Sequence, residues 1–185
     1  MEERIVIAGF GGQGVMAIGQ LLTYAGMIED KYVSWLPSYG PEMRGGTANC
    51  NVIISEEAVG SPVVVNSTGA IIMNEPSLDK FEQSLNNDGR LFINSSLISK
   101  EVERDDIEIY YIPANEIANE LGNPRVANMV MLGAYLEATK IVKVESILEG
   151  FPKVFGEKKM HLLPINKEAL EKGAEVVKEQ MKVKL

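Results

Sequence analysis

The sequence predicts a three-layer α/β domain with a mixed, mostly parallel sheet and C-terminal helices. Three observations carry that expectation. Strand-like and helix-like apolar patterns alternate along the 185 residues, which is how helices come to cover both faces of a sheet. Several strand candidates are apolar over most of their length, as strands buried on both faces are. The first of them, Ile5-Val6-Ile7-Ala8, runs straight into the glycine loop Gly9-Phe10-Gly11-Gly12-Gln13-Gly14 and then into a helix. Residues 1–185 read as a single domain, since a chain of this length buries roughly 70% of the surface its unfolded form exposes. No repeat, low-complexity tract or Ser/Gly linker divides it.

The first helix is expected over about residues 13–28, where Val15, Ile18, Leu21, Leu22 and Ala25 recur at helical spacing among few charges. Gly19 and Gly26 lower its propensity and permit close packing. Residues 31–36 form the second strand, which Pro37-Ser38-Tyr39-Gly40-Pro41 should end by turn chemistry. Residues 47–55 alternate at first and then turn apolar, as a strand entering a core would. This strand follows another with no helix between them, so the sheet is expected to be mixed. Residues 69–73 read as a buried strand, 76–85 as a short helix, 90–94 as the strand after an Asn86-Asn87-Asp88-Gly89 turn, and 107–112 as the last strand. Helices are expected over 113–121 and 125–140, separated by Gly122-Asn123-Pro124, a stop followed by a restart. From Val144 the chain is helical and charged, and these last helices are expected to pack as an appendage.

Composition excludes several functions. A formal charge of −8 argues against general nucleic-acid binding, whose affinity comes largely from Lys and Arg neutralising phosphates. An anionic ligand would have to be held by local features. Cys50 is the only cysteine, which excludes a disulfide framework and an iron–sulfur ligand set within this chain and suits a reducing cytoplasm. The N-terminus has no cationic segment followed by an apolar one, and no apolar run reaches the ~20 residues of a membrane span. Neither secretion nor membrane insertion is expected.

Gly9, Gly11 and Gly14 match the dinucleotide spacing. The first would allow a tight turn, the second a close phosphate, and the third close packing of helix on strand. The helix N-terminus that follows offers free N–H groups and partial positive charge to an anion. A nicotinamide enzyme would place an acid at the end of the second strand for the ribose hydroxyls. That strand ends Ser34-Trp35-Leu36-Pro37, with Asp30 at its wrong end. Another phosphate-bearing ligand, or a partner's backbone, fits the loop better.

A second segment, Ser38 to Thr47, contains Arg44, suited to bidentate contact with phosphate or carboxylate, beside the accessible backbone of Gly45-Gly46. A surface Arg44–Glu42 turn and a ligand or subunit contact both remain open readings. His161 has no companion ligands, Cys50 reads as a core thiol, and Asp105, Asp106 and the lysines near 153–159 read as solvated residues. Asn128 sits in a helix that is apolar on nearly every side, for core hydrogen bonding or for a subunit interface. The chain lacks a general acid/base pair, a metal cluster, a nucleophile with its base, and a redox centre.

Gly9-Phe10-Gly11-Gly12-Gln13-Gly14, Tyr39-Gly40-Pro41-Glu42-Met43-Arg44-Gly45-Gly46 and Asn128-Met129-Val130-Met131-Leu132-Gly133-Ala134 together resemble the gamma subunit of 2-oxoacid:ferredoxin oxidoreductases. The resemblance spans the whole chain and runs closest to the separate gamma subunit of the 2-oxoglutarate type. Pyruvate-type and indolepyruvate-type subunits share the glycine loop. It implies a Rossmann-like catalytic-type gamma domain, inactive alone, working with alpha and beta subunits and reaching ferredoxin through the complex, a delta subunit being left open. The family decarboxylates a 2-oxoacid on thiamine diphosphate, reduces ferredoxin and transfers the acyl group to coenzyme A. Thiamine diphosphate, Mg and Fe–S clusters are implied for partner subunits, with coenzyme A as co-substrate. Carried over by motif position, Gly9, Gly11, Gly12, Gln13, Gly14, Arg44, Gly45 and Gly46 are the expected contacts to coenzyme A phosphates or to the shared cleft. A free-standing Rossmann-like nicotinamide oxidoreductase and a ligand-free scaffold subunit are the competing readings.

Overall fold

The computed structural model describes residues 2–39 and 47–183. Six strands form one sheet: β1 (Glu2–Phe10), β2 (Tyr32–Tyr39), β3 (Thr47–Ser55), β4 (Ser67–Ile72), β5 (Leu85–Asn94) and β6 (Glu108–Ile112), in the order β2-β3-β1-β4-β5-β6. The helices are α1 (Val15–Ile28), α2 (Glu75–Phe81), α3 (Ala114–Glu120), α4 (Ala127–Thr139), α5 (Val144–Phe155) and α6 (Leu163–Val183). Strands β1, β4, β5 and β6 are parallel neighbours, while β3 runs antiparallel to both β1 and β2. The sheet is therefore mixed and mostly parallel, as the sequence predicts. No helix among the described residues is long and apolar enough to cross a membrane.

Strand alternation divides the core between two faces. Ile5, Ile7, Val52, Ile54, Ile71 and Phe92 face the large helical layer built from α1 and α3–α6. Val6, Ala8, Ala70, Ile72, Leu91 and Ile93 face the smaller layer, where Leu78 of α2 and Ile98 pack. The connection after β1 thus lies on one face and the connection after β4 on the other. Strands β1 and β4 are neighbours, so their carboxyl ends flank a topological switch point, where open α/β sheets form ligand crevices.

Three expectations need correction. Pro37 does not end β2; the strand continues to Tyr39, because β2 is an edge strand and a missing N–H is tolerated there. The Asn86-Asn87-Asp88-Gly89 segment lies inside β5 as a register shift against β4, with Asp88 at φ 62°, so the strand begins at Leu85. The C-terminal helices are no appendage. Helix α6 packs along α4 so closely that a Cβ on Gly133 would lie 2.0 Å from the Leu170 carbonyl oxygen, and one on Gly173 would lie 1.9 Å from that of Val130. Sandwiched between the sheet and α6, α4 is buried from Ala127 to Leu136, which explains an apolar pattern with no polar face.

The far edge of the sheet is closed by a side chain. Gln180 of α6 accepts from the Tyr111 N–H at 3.3 Å and donates to the Tyr111 carbonyl at 2.6 Å, occupying the place of a further strand on β6.

Candidate functional site

The glycine loop leaves β1 at the switch point and is held there by Gln13. Its Oε1 accepts from the Phe10 N–H at 2.6 Å and its Nε2 donates to the Met73 carbonyl at 3.2 Å, tying the loop to the carboxyl end of β4. Met73 in turn donates its N–H to Ala8 at 2.8 Å. With both amide atoms engaged internally, Gln13 shapes the loop.

The three motif glycines divide the work differently from the dinucleotide expectation. Gly9 is still in β1 and makes no turn; a Cβ there would come within 2.6 Å of Gln13 Oε1 and 2.7 Å of Met73 Cβ. Gly14 adopts φ 77° and forms the N-cap of α1. Beyond it, Gly12 is exposed at φ 95° with nothing within 4 Å of a Cβ position, leaving the backbone accessible. Gly11 lies half-buried in the same turn. Arg44, Gly45 and Gly46 fall outside the described residues.

The loop opens onto a cleft of ≈ 370 Å³ bounded by Gly12, Gly14, Arg125, Asn128, Phe155 and Lys159, among others. Its floor brings three helix N-termini together: Gly14 and Ala17 from α1, Val126 and Asn128 from α4, Leu162 and Asn166 from α6. None of these helices has an acid in its first turn, and neither α1 nor α4 has a side-chain N-cap. By contrast, α2, α3 and α5 carry Glu75, Glu116 and Glu145 in their first turns. Acids at an N-terminus neutralise the helix dipole; the helices meeting at the cleft keep theirs. Arg125 and Lys159 add two cations, and no described lining residue is acidic. In a chain of net charge −8, this is a local field suited to an anion.

Asn128 is only 6% exposed and lies under the loop, where its Nδ2 donates to the Gly14 carbonyl at 3.4 Å. This is the core hydrogen-bonding reading of that residue. Asn166 anchors similarly, Nδ2 to the Leu162 carbonyl at 2.7 Å. The paired rings of Phe151 and Phe155, 4.5 Å apart, form the apolar wall, and Lys159 Nζ stands 6.0 Å over the Phe155 ring. Sequence reasoning missed Arg125, Lys159, Asn166 and both phenylalanines. Arg125 read as the start of a helix and the lysines as solvated, and no local spacing joins residues near 12, 125 and 159.

Cys50 and His161 lie elsewhere in character. Burial pushes the Cys50 thiol up to about 12, against which contacts with Trp35 and Gly19 act weakly, so it is a core group and not a nucleophile. His161 is exposed, with Nδ1 3.0 Å from the Lys158 carbonyl oxygen.

The competing nicotinamide reading, already disfavoured by the sequence, gains no support from the topology of the described residues. The neighbour of β1 on that side is the antiparallel β3, which sets Ala48 opposite Gly9 and Thr47 opposite Phe10. Strand β2 ends one strand further away at Tyr39. No described residue at those strand ends is an acid that could hold a ribose.

Fold and cleft define a doubly wound type of α/β protein with a glycine loop and an anion-suited crevice at its switch point. The chain belongs to the pyruvate ferredoxin/flavodoxin oxidoreductase family, whose model matches residues 4–176. It is 38% identical over 185 residues to ketoisovalerate oxidoreductase subunit VorA of Methanothermobacter thermautotrophicus, an alignment covering 100% of this chain and 38% of VorA. It is 36% identical over 186 residues to 2-oxoglutarate synthase subunit KorC of Methanocaldococcus jannaschii, covering 97% and 96% of the two chains. The gamma subunit of a keto/oxoacid ferredoxin oxidoreductase from Geobacter sulfurreducens superimposes with a TM-score of 0.79 at 28% identity, over 95% of this chain and 98% of that one. The chain thus spans 38% of the length of VorA and nearly all of KorC.

Proposed function

We propose that this chain is the gamma subunit of a multi-subunit cytoplasmic 2-oxoacid:ferredoxin oxidoreductase, forming a single domain of the catalytic-type gamma class. The reaction is the conversion of 2-oxoglutarate, coenzyme A and oxidised ferredoxin to succinyl-CoA, CO2 and reduced ferredoxin. Thiamine diphosphate, Mg and the Fe–S clusters belong to the partner alpha and beta subunits, with a delta subunit where one exists. This chain supplies one wall of the shared cleft and contacts to the phosphates of coenzyme A. The observation that carries the reading is the glycine loop opening, at the switch point, onto a cleft with two cations and no described acid. The donor set fits: backbone N–H groups at Gly12 to Gly14, a guanidinium and an ammonium are phosphate-binding groups. Arg44, Gly45 and Gly46 enter on their sequence motif.

Substrate choice is the finer part of the proposal. Relatives named for ketoisovalerate and for 2-oxoglutarate stand at 38% and 36% identity, which keeps a branched-chain type as the second reading, beside the pyruvate and indolepyruvate types. The test is co-expression with the thiamine-binding and cluster-bearing chains, purification of the complex, and assay of CoA-dependent ferredoxin reduction with 2-oxoglutarate, pyruvate and 3-methyl-2-oxobutanoate. Fastest turnover on 2-oxoglutarate supports the proposal, and preference for another 2-oxoacid reassigns the substrate. A chain that forms no complex and oxidises a substrate alone would overturn it.

A further inference from the structure

We infer that β2, the strand at one edge of the sheet, is a docking surface for an extended, uncharged segment of a partner subunit, which adds to the sheet as a further strand and carries a basic residue at the end facing Asp30 and Glu57. The inference rests on the function proposed above, which requires partner chains, and adds where one of them binds.

The two edges of the sheet are finished differently. On β6 the side chain of Gln180 engages both backbone groups of Tyr111. On β2 the outward backbone groups have no strand to pair with among the described residues. A bare edge invites pairing, and proteins blunt it with charges, bulges, short strands or a covering element. Strand β2 runs eight residues, Tyr32–Tyr39, in unbroken register with β3 and contains no charged residue. Pro37 removes one N–H and leaves the rest of the strand able to pair. Tyr32, Leu36 and Tyr39 are 53%, 37% and 57% exposed, so apolar surface meets water from one end of the strand to the other.

The same strand lacks a layer on one face. Val33 and Trp35 pack on the helical side, where α1 covers β2 and β3. By alternation Tyr32, Ser34, Leu36 and Ser38 face the other way, beside Ser55, Ile53, Asn51 and Asn49 of β3. The core on that side takes its buried residues from β1, β4, β5, α2 and Ile98, and none from β2 or β3. A strand added to β2 would set its own side chains beside Tyr32 and Leu36 on this open face.

Charge decides the occupant. Pairing of Tyr32 with Ser55 places Asp30 and Glu57 two residues beyond the same end of the β2–β3 pair, and both are exposed. The cations nearby are already engaged, Lys31 by Glu29 and the Ile141 carbonyl, and Arg4 by Glu2. The surface is thus neutral along the strand and acidic at one end, complementary to an uncharged segment that ends in Lys or Arg. A second copy would bring the same neutral strand, the same acids and a further net charge of −8.

The experiment follows amide hydrogen exchange in the free chain and in the complex assembled with the thiamine-binding and cluster-bearing chains. Outward amides of residues 32–39 should exchange in the free chain and slow by roughly tenfold or more in the complex, while residues 109–112, beside Gln180, should change little. Leu36→Lys puts a charge at an exposed position, so the free variant should fold, which circular dichroism checks. Its dissociation constant for the partner chains should rise roughly tenfold or more. Asp30→Asn/Glu57→Gln should weaken binding and lessen its salt dependence, and Glu168→Gln, exposed on α6, should match wild type. Unchanged exchange of residues 32–39 in a complex that forms and turns over, or wild-type affinity of a folded Leu36→Lys variant, overturns the docking surface and leaves the proposed function standing. Protection of residues 32–39 in the free chain that grows with concentration, together with a doubled mass by light scattering, gives the edge to a second copy and overturns the partner segment. Failure of the wild-type chain to associate with those subunits overturns the proposed function, and this inference with it.

Discussion

The Asn128 side chain lies directly against Gly14: its Nδ2 donates to the Gly14 carbonyl at 3.4 Å across 114 residues, and a Cβ on Gly14 would fall 2.4 Å from the same nitrogen. One contact thus couples the N-cap of α1 to the first turn of α4 and fixes one side of the cleft.

Gly14→Ala should be destabilising for two separable reasons. Its φ of 77° places a side-chain-bearing residue in the left-handed region at roughly 1–2 kcal/mol, and the added methyl collides with Asn128. Urea denaturation should show a loss of about 2 kcal/mol or more. In an Asn128→Ala background the overlap with the amide is removed, although the Cβ of residue 128, at 2.9 Å, remains, so the same substitution should cost about 1 kcal/mol less. An equal loss in both backgrounds would show that the contact contributes nothing.

The crossing of α4 and α6 allows no methyl group. At Gly133 and Gly173 the obstacle is backbone, the carbonyls of Leu170 and Val130, so no side-chain rotation relieves the overlap. Gly133→Ala or Gly173→Ala should each cost about 3 kcal/mol. Gly60→Ala, with nothing within 4 Å of its Cβ position, should stay within about 0.5 kcal/mol of wild type. Thermal and urea unfolding of the three variants gives the comparison.

Cys50 predicts an alkaline dependence. Burial raises the folded thiol from 9.0 to about 12, so the folded state keeps its proton while the unfolded state loses it above about pH 9. The stabilisation is complete below the unfolded value and is lost as pH rises from about 9 towards 12, at up to about 1.4 kcal/mol per pH unit. Cys50→Ala should flatten this part of the stability curve. In the native protein at pH 8 iodoacetamide should leave Cys50 unmodified, and should alkylate it in urea. Rapid native alkylation would contradict the burial argument.

Much of the fold was legible because its signals are local. Ile5 to Ala8 and residues 47–55 announce strands by composition and alternation, and Gly122-Asn123-Pro124 marks the helix restart seen before α4. Where the reading failed, a neighbour overruled the local chemistry. Pro37 is harmless on an edge, Asn86 to Gly89 are carried through β5 as a bulge, and α6 is drawn onto α4 by the small residues Gly133 and Gly173. The candidate site was half legible. Its glycine loop is contiguous and could be read, but Arg125, Lys159 and Asn166 lie more than a hundred residues away in sequence and look like ordinary surface or helical residues.

The sequence by itself determined the order and type of the elements, the loop with its glycines, and the absence of an acid at the end of the second strand, since periodicity and backbone permissiveness are properties of short segments. Only the tertiary structure decided that β3 inserts between β1 and β2, that Gly9 packs while Gly14 caps, and that three helix N-termini meet two cations in one cleft. Those outcomes depend on strand pairing and on distances through space, and a field suited to an anion exists only where separate segments of the chain are brought together.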